Sequence, residues 1–409
     1  MPLAHGFGII RANEGHVFRR VQDVSSKRIG LLFNRSRAYG RGFCEGVAAY
    51  TEVRHDWRLE MVEDGKSGKL DGLIAHVMDD AHAEQFARLG MPVIADFYRK
   101  PRRGFAQALP DHAAIGRLAA EHFLERGFTN YAFCGYDGIL FSDERRAGYV
   151  AALLERRYEC ASYKTPPKVL AGFNEHVILR EELAPRASDA RVLRSWLRSL
   201  PRPCALFCCH DLRALQALYA AREEGLRVPE DIAILGVDND MLVCNFTHPR
   251  LSSIDNAAFD VGRAAAKLLD DIIEGRASRN ACVKVAPIGI VPHASTEVFT
   301  YSSPVVNEAM LFMRRSLSQN LTASDIFAHL GKSHTFVENA FRAELGVTVQ
   351  SELQRLRLEE AKRLLKSGAM PLASIAKRSG FASPRYFAQA FRRALGVSPS
   401  AWRETNLHK

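Results

Sequence analysis

Four short apolar runs each end in residues suited to hydrogen bonding. Asn34 leads through Arg35 and Arg37 to Tyr39. Asp96 precedes Phe97 and Tyr98. His210 and Asp211 precede Leu212 and Arg213, and Asp238, Asn239 and Asp240 stand together. A carboxylate accepts paired bonds from neighbouring hydroxyls, a guanidinium donates a fork, and aromatic faces cover C–H surface. Brought together, these groups would hold a small polyol. Any single Asp could instead cap the helix that follows it; the set taken together favours a site. Arg35, Arg37 and Arg41 would also welcome an anion, so a phosphorylated sugar or a purine is the second reading.

A second group lies near the C-terminus and occurs twice. GKSHTFVENAFRAELGVTV (331–349) is echoed fifty positions later by GFASPRYFAQAFRRALGVSP (380–399). A fixed period marks a duplicated supersecondary unit. In the first copy the outward side of the second helix would carry Ser333, His334, Thr335, Glu338, Asn339 and Arg342. In the second it would carry Ser383, Arg385, Ala388, Gln389 and Arg392. Asn reads adenine with two bonds, Glu accepts from cytosine and Arg reads guanine, so Thr335, Glu338, Asn339, Arg385 and Gln389 are candidates for base edges. Ser333, Arg342, Ser383 and Arg392 suit phosphates.

The elements that would position this second group are legible. Thr322 with Asp325 is a capping-box pattern opening a helix with Ile326, Phe327 and Leu330 on its apolar side. Gly331 makes the turn and Ser333 caps the next helix, whose expected apolar side is Phe336, Val337, Ala340, Phe341 and Leu345. The second copy repeats this with Leu372, Ile375 and Ala376, the turn at Gly380, Ser383-Pro384 as cap and first residue, and a stripe of Phe387, Ala390, Phe391 and Leu395. Between the copies, Ser351–Lys366 reads as one long helix with Leu353, Leu356, Ala361, Leu364 and Leu365 on one face, closed by Gly368. Such a rod would hold two recognition helices about one turn of DNA apart, roughly 34 Å, for tandem half-sites. A solenoid of helical hairpins is the bland alternative, and charge argues against it. Residues 305–409 hold sixteen Lys and Arg against eight Asp and Glu, most of the whole chain's excess of +10. That is the electrostatic footprint of a DNA-binding domain.

Residues 305–405 resemble the AraC-type DNA-binding domain, on MPLASIAKRSGF (370–381) and YFAQAFRRALGVSPSAWR (386–403). The resemblance implies double-stranded DNA as partner.

Upstream, strands are predicted at 28–33, 70–76, 92–96, 131–134, 168–171, 205–209 and 232–237. Helices are predicted near 40–50, 83–89, 112–126, 143–156, 190–199, 212–224 and 261–274. Continuous apolar strands alternating with helices mean parallel sheets covered on both faces, and their number means two α/β lobes. Ligands of such sheets lie beyond the carboxyl ends of the strands, where the first group of residues falls. DLRALQALYAAREEGLRVPEDIAILGVDND (211–240) and LSSIDNAAFDVGRAAAKLL (251–269) resemble the sugar-binding core of lactose- and galactose-repressor-type regulators, which is built like periplasmic binding proteins. That resemblance implies ligand roles for Asp238, Arg145, Asp96 and Asp211, with His210 standing where the family has asparagine. Tyr39 and Asn239 join them from their places at the strand ends.

The expected architecture is therefore a two-lobed α/β core of the periplasmic-binding-protein type, with parallel sheets and Rossmann-like lobes, followed by an all-α domain with two helix-turn-helix units. Its expected parts are a mobile tail (1–27), a sensor (28–298), a linker (299–304, within a hinge at 296–304) and a reader (305–405). Sensor first and paired helix-turn-helix last resembles the xylose-responsive class of transcriptional activators. The resemblance implies a regulator of pentose catabolism that forms a homodimer and, as an activator, meets RNA polymerase; a hexose, phosphorylated sugar or purine as effector, or repression, is the alternative. No G-x-x-x-x-G-K-[ST], G-x-G-x-x-G or G-x-S-x-G run points to an enzyme. Catalytic residues and a cofactor are not expected. Eight scattered cysteines and the histidines lack zinc spacing, which suits reduced thiols in the cytoplasm and no metal. No apolar run is long enough for a membrane span, and the N-terminus lacks an export signal, which also counts against an uptake binding protein.

Overall fold

The computed structural model describes residues 26–54, 56–62, 69–167, 189–366 and 370–407. The predicted tail, the strand at 168–171 and the closing Gly368 lie outside them, apart from Ser26 and Lys27 at the tail's end.

Lobe 1 starts with β1 (Lys27–Leu32), α1 (Ala38–Val53), β2 (Trp57–Met61), β3 (Gly72–Val77), α2 (Asp80–Ala87), β4 (Val93–Phe97) and β5 (Gln107–Pro110). Its first four strands form a parallel sheet in the order β2-β1-β3-β4. The chain then crosses to lobe 2: α3 (His112–Leu124), β6 (Tyr131–Cys134), α4 (Leu140–Leu154), β7 (Cys160–Ser162), α5 (Ala190–Ser199), β8 (Cys204–Cys208), α6 (Asp211–Glu223), β9 (Ile232–Val237), α7 (Met241–Phe246) and β10 (Ser252–Asp255). It returns to lobe 1 with α8 (Ala258–Ile273) and β11 (Cys282–Val285), which pairs with β5, and crosses again to β12 (Gly289–Val291). The lobe 2 sheet runs β12-β10-β9-β8-β6-β7, with only β12 antiparallel within it. Every residue of β8 and β9 is buried, as helices on both faces require. The chain crosses between the lobes three times, near 111, 256 and 287.

The reader comprises α9 (Pro304–Ser316), α10 (Ala323–Leu330), α11 (His334–Leu345), α12 (Val349–Lys366), α13 (Leu372–Arg378), α14 (Pro384–Leu395) and α15 (Pro399–Leu407). The Thr322–Asp325 capping box is present, and Ser333 and Ser383 cap α11 and α14. Gly331 and Gly380 take positive φ at the turns. The two units have separate cores, one around Met310, Ile326, Val337 and Phe341, the other around Leu364, Ile375, Phe387 and Phe391. α12 gives Leu353 and Leu356 to the first core and Ala361, Leu364 and Leu365 to the second, so one helix splints both. Its eighteen residues span about 27 Å.

Two expected core positions are instead exposed: Phe336 and Leu395. Val337 and Phe341, like Phe387 and Phe391, already fill the inner stripe, and a narrow helix–helix seam leaves the flanking positions outside.

The predicted hinge at 296–304 is packed rather than free. Phe299 is buried in the first reader core, and the Arg126 and Arg314 guanidiniums lie over its ring at 5.6 and 5.9 Å. Thr300 N–H donates to Arg126 O, and Tyr301 O–H to Glu125 O. The Glu125 carboxylate takes Arg355 at 3.0 Å and Arg314 at 3.6 Å.

Candidate functional site

The strand ends of the two lobes meet in a cleft. Asp238 follows β9 with φ 106° and Asn239 with φ 50°, left-handed backbone that non-glycine residues adopt only under constraint. The constraint is Asp211. Its Oδ2 accepts from Asp240 N–H at 2.7 Å and its Oδ1 from Ser253 O–H at 2.6 Å, while Ser253 Oγ also takes Asn239 N–H at 2.9 Å. A Cβ on Gly236 would lie 2.2 Å from Asp211 Oδ1, so the strand must be bare there. Asp211 is thus placed beneath the loop that carries Asp238, with both oxygens occupied, and not in the position to grip a ligand that the family likeness suggested.

Arg145 is brought in by α4, which lies against α3 so closely that a Cβ on Gly148 would sit 2.2 Å from Ala113 O. Its guanidinium donates to Cys209 O and to His112 Nδ1, stacks over Phe141, and stands 3.6 Å from Asp238 Oδ1. Asn256 Nδ2 donates to the same oxygen at 2.8 Å. Burial raises the Asp238 carboxyl to about 6, although Arg145 and Arg37 pull it down. Burial, with Asp238 nearby, also pushes Asp211 well up. From lobe 1, Asp96 accepts from Tyr39 O–H at 3.2 Å and stands 3.2 Å from His76 Nε2. The lobes touch through Ala38 N–H to Asp240 Oδ2 at 3.2 Å, Arg41 to Asp240 at 3.5 Å, and Leu140 N–H to Tyr98 O at 2.8 Å.

Of the six expected ligand residues, Asp238, Arg145, Asp96 and Tyr39 converge on the cleft. Asn239 turns its side chain toward Asp255 Oδ2, 3.5 Å away. Arg213, which also follows β8, points into the lobe 2 core, held by Asp189 at 2.8 Å between the rings of Tyr136 and Tyr163. His210 caps α6 through Nδ1, which accepts Arg213 N–H, so its ring proton is on Nε2. Burial, then Arg37 and Arg145, holds its pKa well below the ordinary value. His112 and Asn256 are cleft residues that sequence patterning did not single out, while Arg37 and His210 stand in the strand-end groups it named. Neither of the two missed residues carries a spacing or motif signal in the sequence.

In the reader, Thr335, Asn339 and Arg342 are exposed on α11, as are Arg385, Ala388, Gln389 and Arg392 on α14. His334 is exposed and sets its ring edge-on against Phe327 at 4.6 Å. Ser333 and Ser383 spend their hydroxyls as caps, accepting Phe336 and Tyr386 N–H. Glu338 departs from expectation. It is half-buried, and its Oε2 is closed to solvent with no hydrogen-bond partner among the described residues. It lies one helical step from buried Phe341, on the flank of the seam rather than at its outer pole.

Residues 120–296 match the periplasmic binding protein-like domain, and 326–405 the helix-turn-helix domain. The chain joins a binding-protein-like sensor to a helix-turn-helix reader. It is 26% identical to the xylose operon regulatory protein of Haemophilus influenzae over 395 residues, covering 92% of this chain and 98% of that one. The same protein of Escherichia coli K12 is also 26% identical, covering 93% and 97%. The solved xylose-binding transcription activator xylR has the same fold, with TM-score 0.57 and 24% identity over 93% of this chain and 98% of that one. These are homologues over nearly the whole length, and they are regulators rather than enzymes. This chain is a DNA-binding transcriptional regulator. No helix among the described residues is long and apolar enough to cross a membrane.

Proposed function

We propose that the chain is a cytoplasmic activator of pentose catabolism genes, with xylose as its effector in the inter-lobe cleft. Asp238 from lobe 2 stands beside the Arg145 guanidinium and is faced from lobe 1 by Tyr39, which donates to Asp96, and that arrangement of two carboxylates and a guanidinium across the cleft carries the reading. Hydroxyls on neighbouring carbons suit paired acceptance, and Phe141 and Tyr98 supply apolar faces. The names of the full-length relatives supply the particular sugar. An anionic effector is the second reading, favoured by the charges of Arg37 and Arg145 acting together on Asp238. Thermal-shift measurements with D-xylose, D-ribose, L-arabinose, D-glucose, their phosphates and purines separate the two. A raised midpoint with xylose is expected; a rise with phosphates or purines alone overturns the neutral-sugar reading.

The reader would grip tandem half-sites through α11 and α14, as part of a homodimer that recruits RNA polymerase. Coupling would run through the inter-lobe crossings. Lys366 donates to Pro287 O at 3.3 Å, and the Arg363 stem lies 3.3 Å from where Gly289 would carry a Cβ. Asp255 faces Asn239 from the cleft loop and feels the charge of Arg363. The end of α12 therefore rests on the crossing segment at 287–289 and brings the Arg363 charge near Asp255, beside a second crossing. Sugar would shift the population of lobe arrangements, and only by as much as it binds them unequally. Equal DNA occupancy with and without xylose, in a protein that binds xylose, excludes this coupling.

A further inference from the structure

Phe336 is 54% exposed and Tyr386 44% exposed. They occupy the same place in the two helix-turn-helix units. In each, the capping serine accepts the backbone N–H of that aromatic residue, which anchors its backbone on the first turn of the recognition helix. Phe336 neighbours Asn339 three residues on and Tyr386 neighbours Gln389, both exposed, while the next residues, Val337 and Phe387, turn into the cores with Phe341 and Phe391. A single exposed aromatic needs no explanation. A pair at one register, on the same exposed flank of both helices and within the basic part of the chain, does. The major groove offers one apolar feature that distinguishes a base, the thymine 5-methyl group.

We propose that Phe336 and Tyr386 are specificity-determining residues that pack on thymine 5-methyl groups, one in each half-site. The polar neighbours Asn339 and Gln389 then read the adjoining base, and the ring adds preference for thymine over cytosine beside it. The Tyr386 ring, edge-on to Phe381 at 6.0 Å, is the more constrained of the two.

The test uses the full-length chain and a half-site pair obtained by binding selection. Each thymine is replaced in turn by deoxyuridine, which removes only the methyl group. Wild type should lose about fourfold in affinity at one thymine per half-site, the worth of one buried methyl-sized group. Phe336→Ala should become insensitive to that replacement in the first half-site alone, and Tyr386→Ala in the second, with Tyr386→Phe retaining the wild-type pattern. Melting midpoints of the variants confirm folding, which the exposure of both rings favours. A flat deoxyuridine scan in wild type overturns the proposal. So does a Phe336→Ala protein that binds all sequences more weakly with an unchanged scan, or one whose oligomeric state changes instead. Salt-sensitive affinity for arbitrary duplex would persist in each of those cases, so DNA binding itself is tested separately.

Discussion

Lowering the pH from 7.5 to 5 should weaken xylose binding about tenfold, through Asp238. Its carboxyl titrates at about 6 in the empty protein, raised by burial against the pull of Arg145 and Arg37. A carboxyl raised in the fold holds its proton more tightly than in the unfolded chain. Stability is therefore lost as pH rises from the ordinary carboxylate range through about 6, is constant above it, and sugar hydroxyls that donate to the anion offset that loss. At pH 5 only about a tenth of the carboxyl is ionised. If the sugar needs the anion, affinity falls by about one pH unit's worth, ~1.4 kcal/mol. His112 and His210 face the same cleft, but burial and the arginines hold both well below their ordinary value, which disfavours their charged form there. Calorimetric titration from pH 5 to 7.5 should show affinity rising to a plateau above about 6, with a proton released on binding below it. Asp238→Asn should bind more weakly and without that slope. Constant affinity in wild type, or the same slope in Asp238→Asn, would refute the reasoning.

Asp255→Asn and Arg363→Ala should each leave xylose binding and salt-sensitive DNA binding within about twofold, while reducing the effect of xylose on DNA affinity at least fivefold, within the usual range of coupling energies; coupling of wild-type size in both would exclude the route through the crossings. Gly236→Ala pushes a methyl into Asp211 and should cost about 1–3 kcal/mol with loss of xylose response; an unshifted melting curve would show that the loop has slack. Arg385→Ala should relax preference at one base pair by about 1–3 kcal/mol, measured by competition among single-base operator variants; uniform weakening would assign it to phosphate.

The reader was largely legible because its signals are local. Capping residues, turn glycines and a stripe at helical spacing are settled within a dozen residues, and Thr322, Ser333, Gly380 and Ser383 each stand as read. The strands at 131–134 and 232–237 fall where predicted, since continuous apolar runs between turns leave little alternative. Short strands such as 57–61, 107–110 and 282–285 carry no such pattern, because exposed edges and crossovers accept mixed residues. Glu338 and Phe336 were misplaced for one reason: a helical stripe has flanks, and which flank meets a neighbour depends on that neighbour.

By itself, the sequence determined the order of parts, the nature of both sheets and the chemistry at the strand ends, because backbone periodicity and residue type are local properties. Tertiary structure alone decided which polar groups face the cleft. Asp211 lies one residue from His210 and twenty-seven from Asp238, yet it supports the loop of the latter, and Arg213 turns away to Asp189. It also decided that the end of α12 rests on the crossing segment at 287–289. Contacts between segments a hundred residues apart depend on how closely packed surfaces fit, and no spacing along the chain encodes that fit.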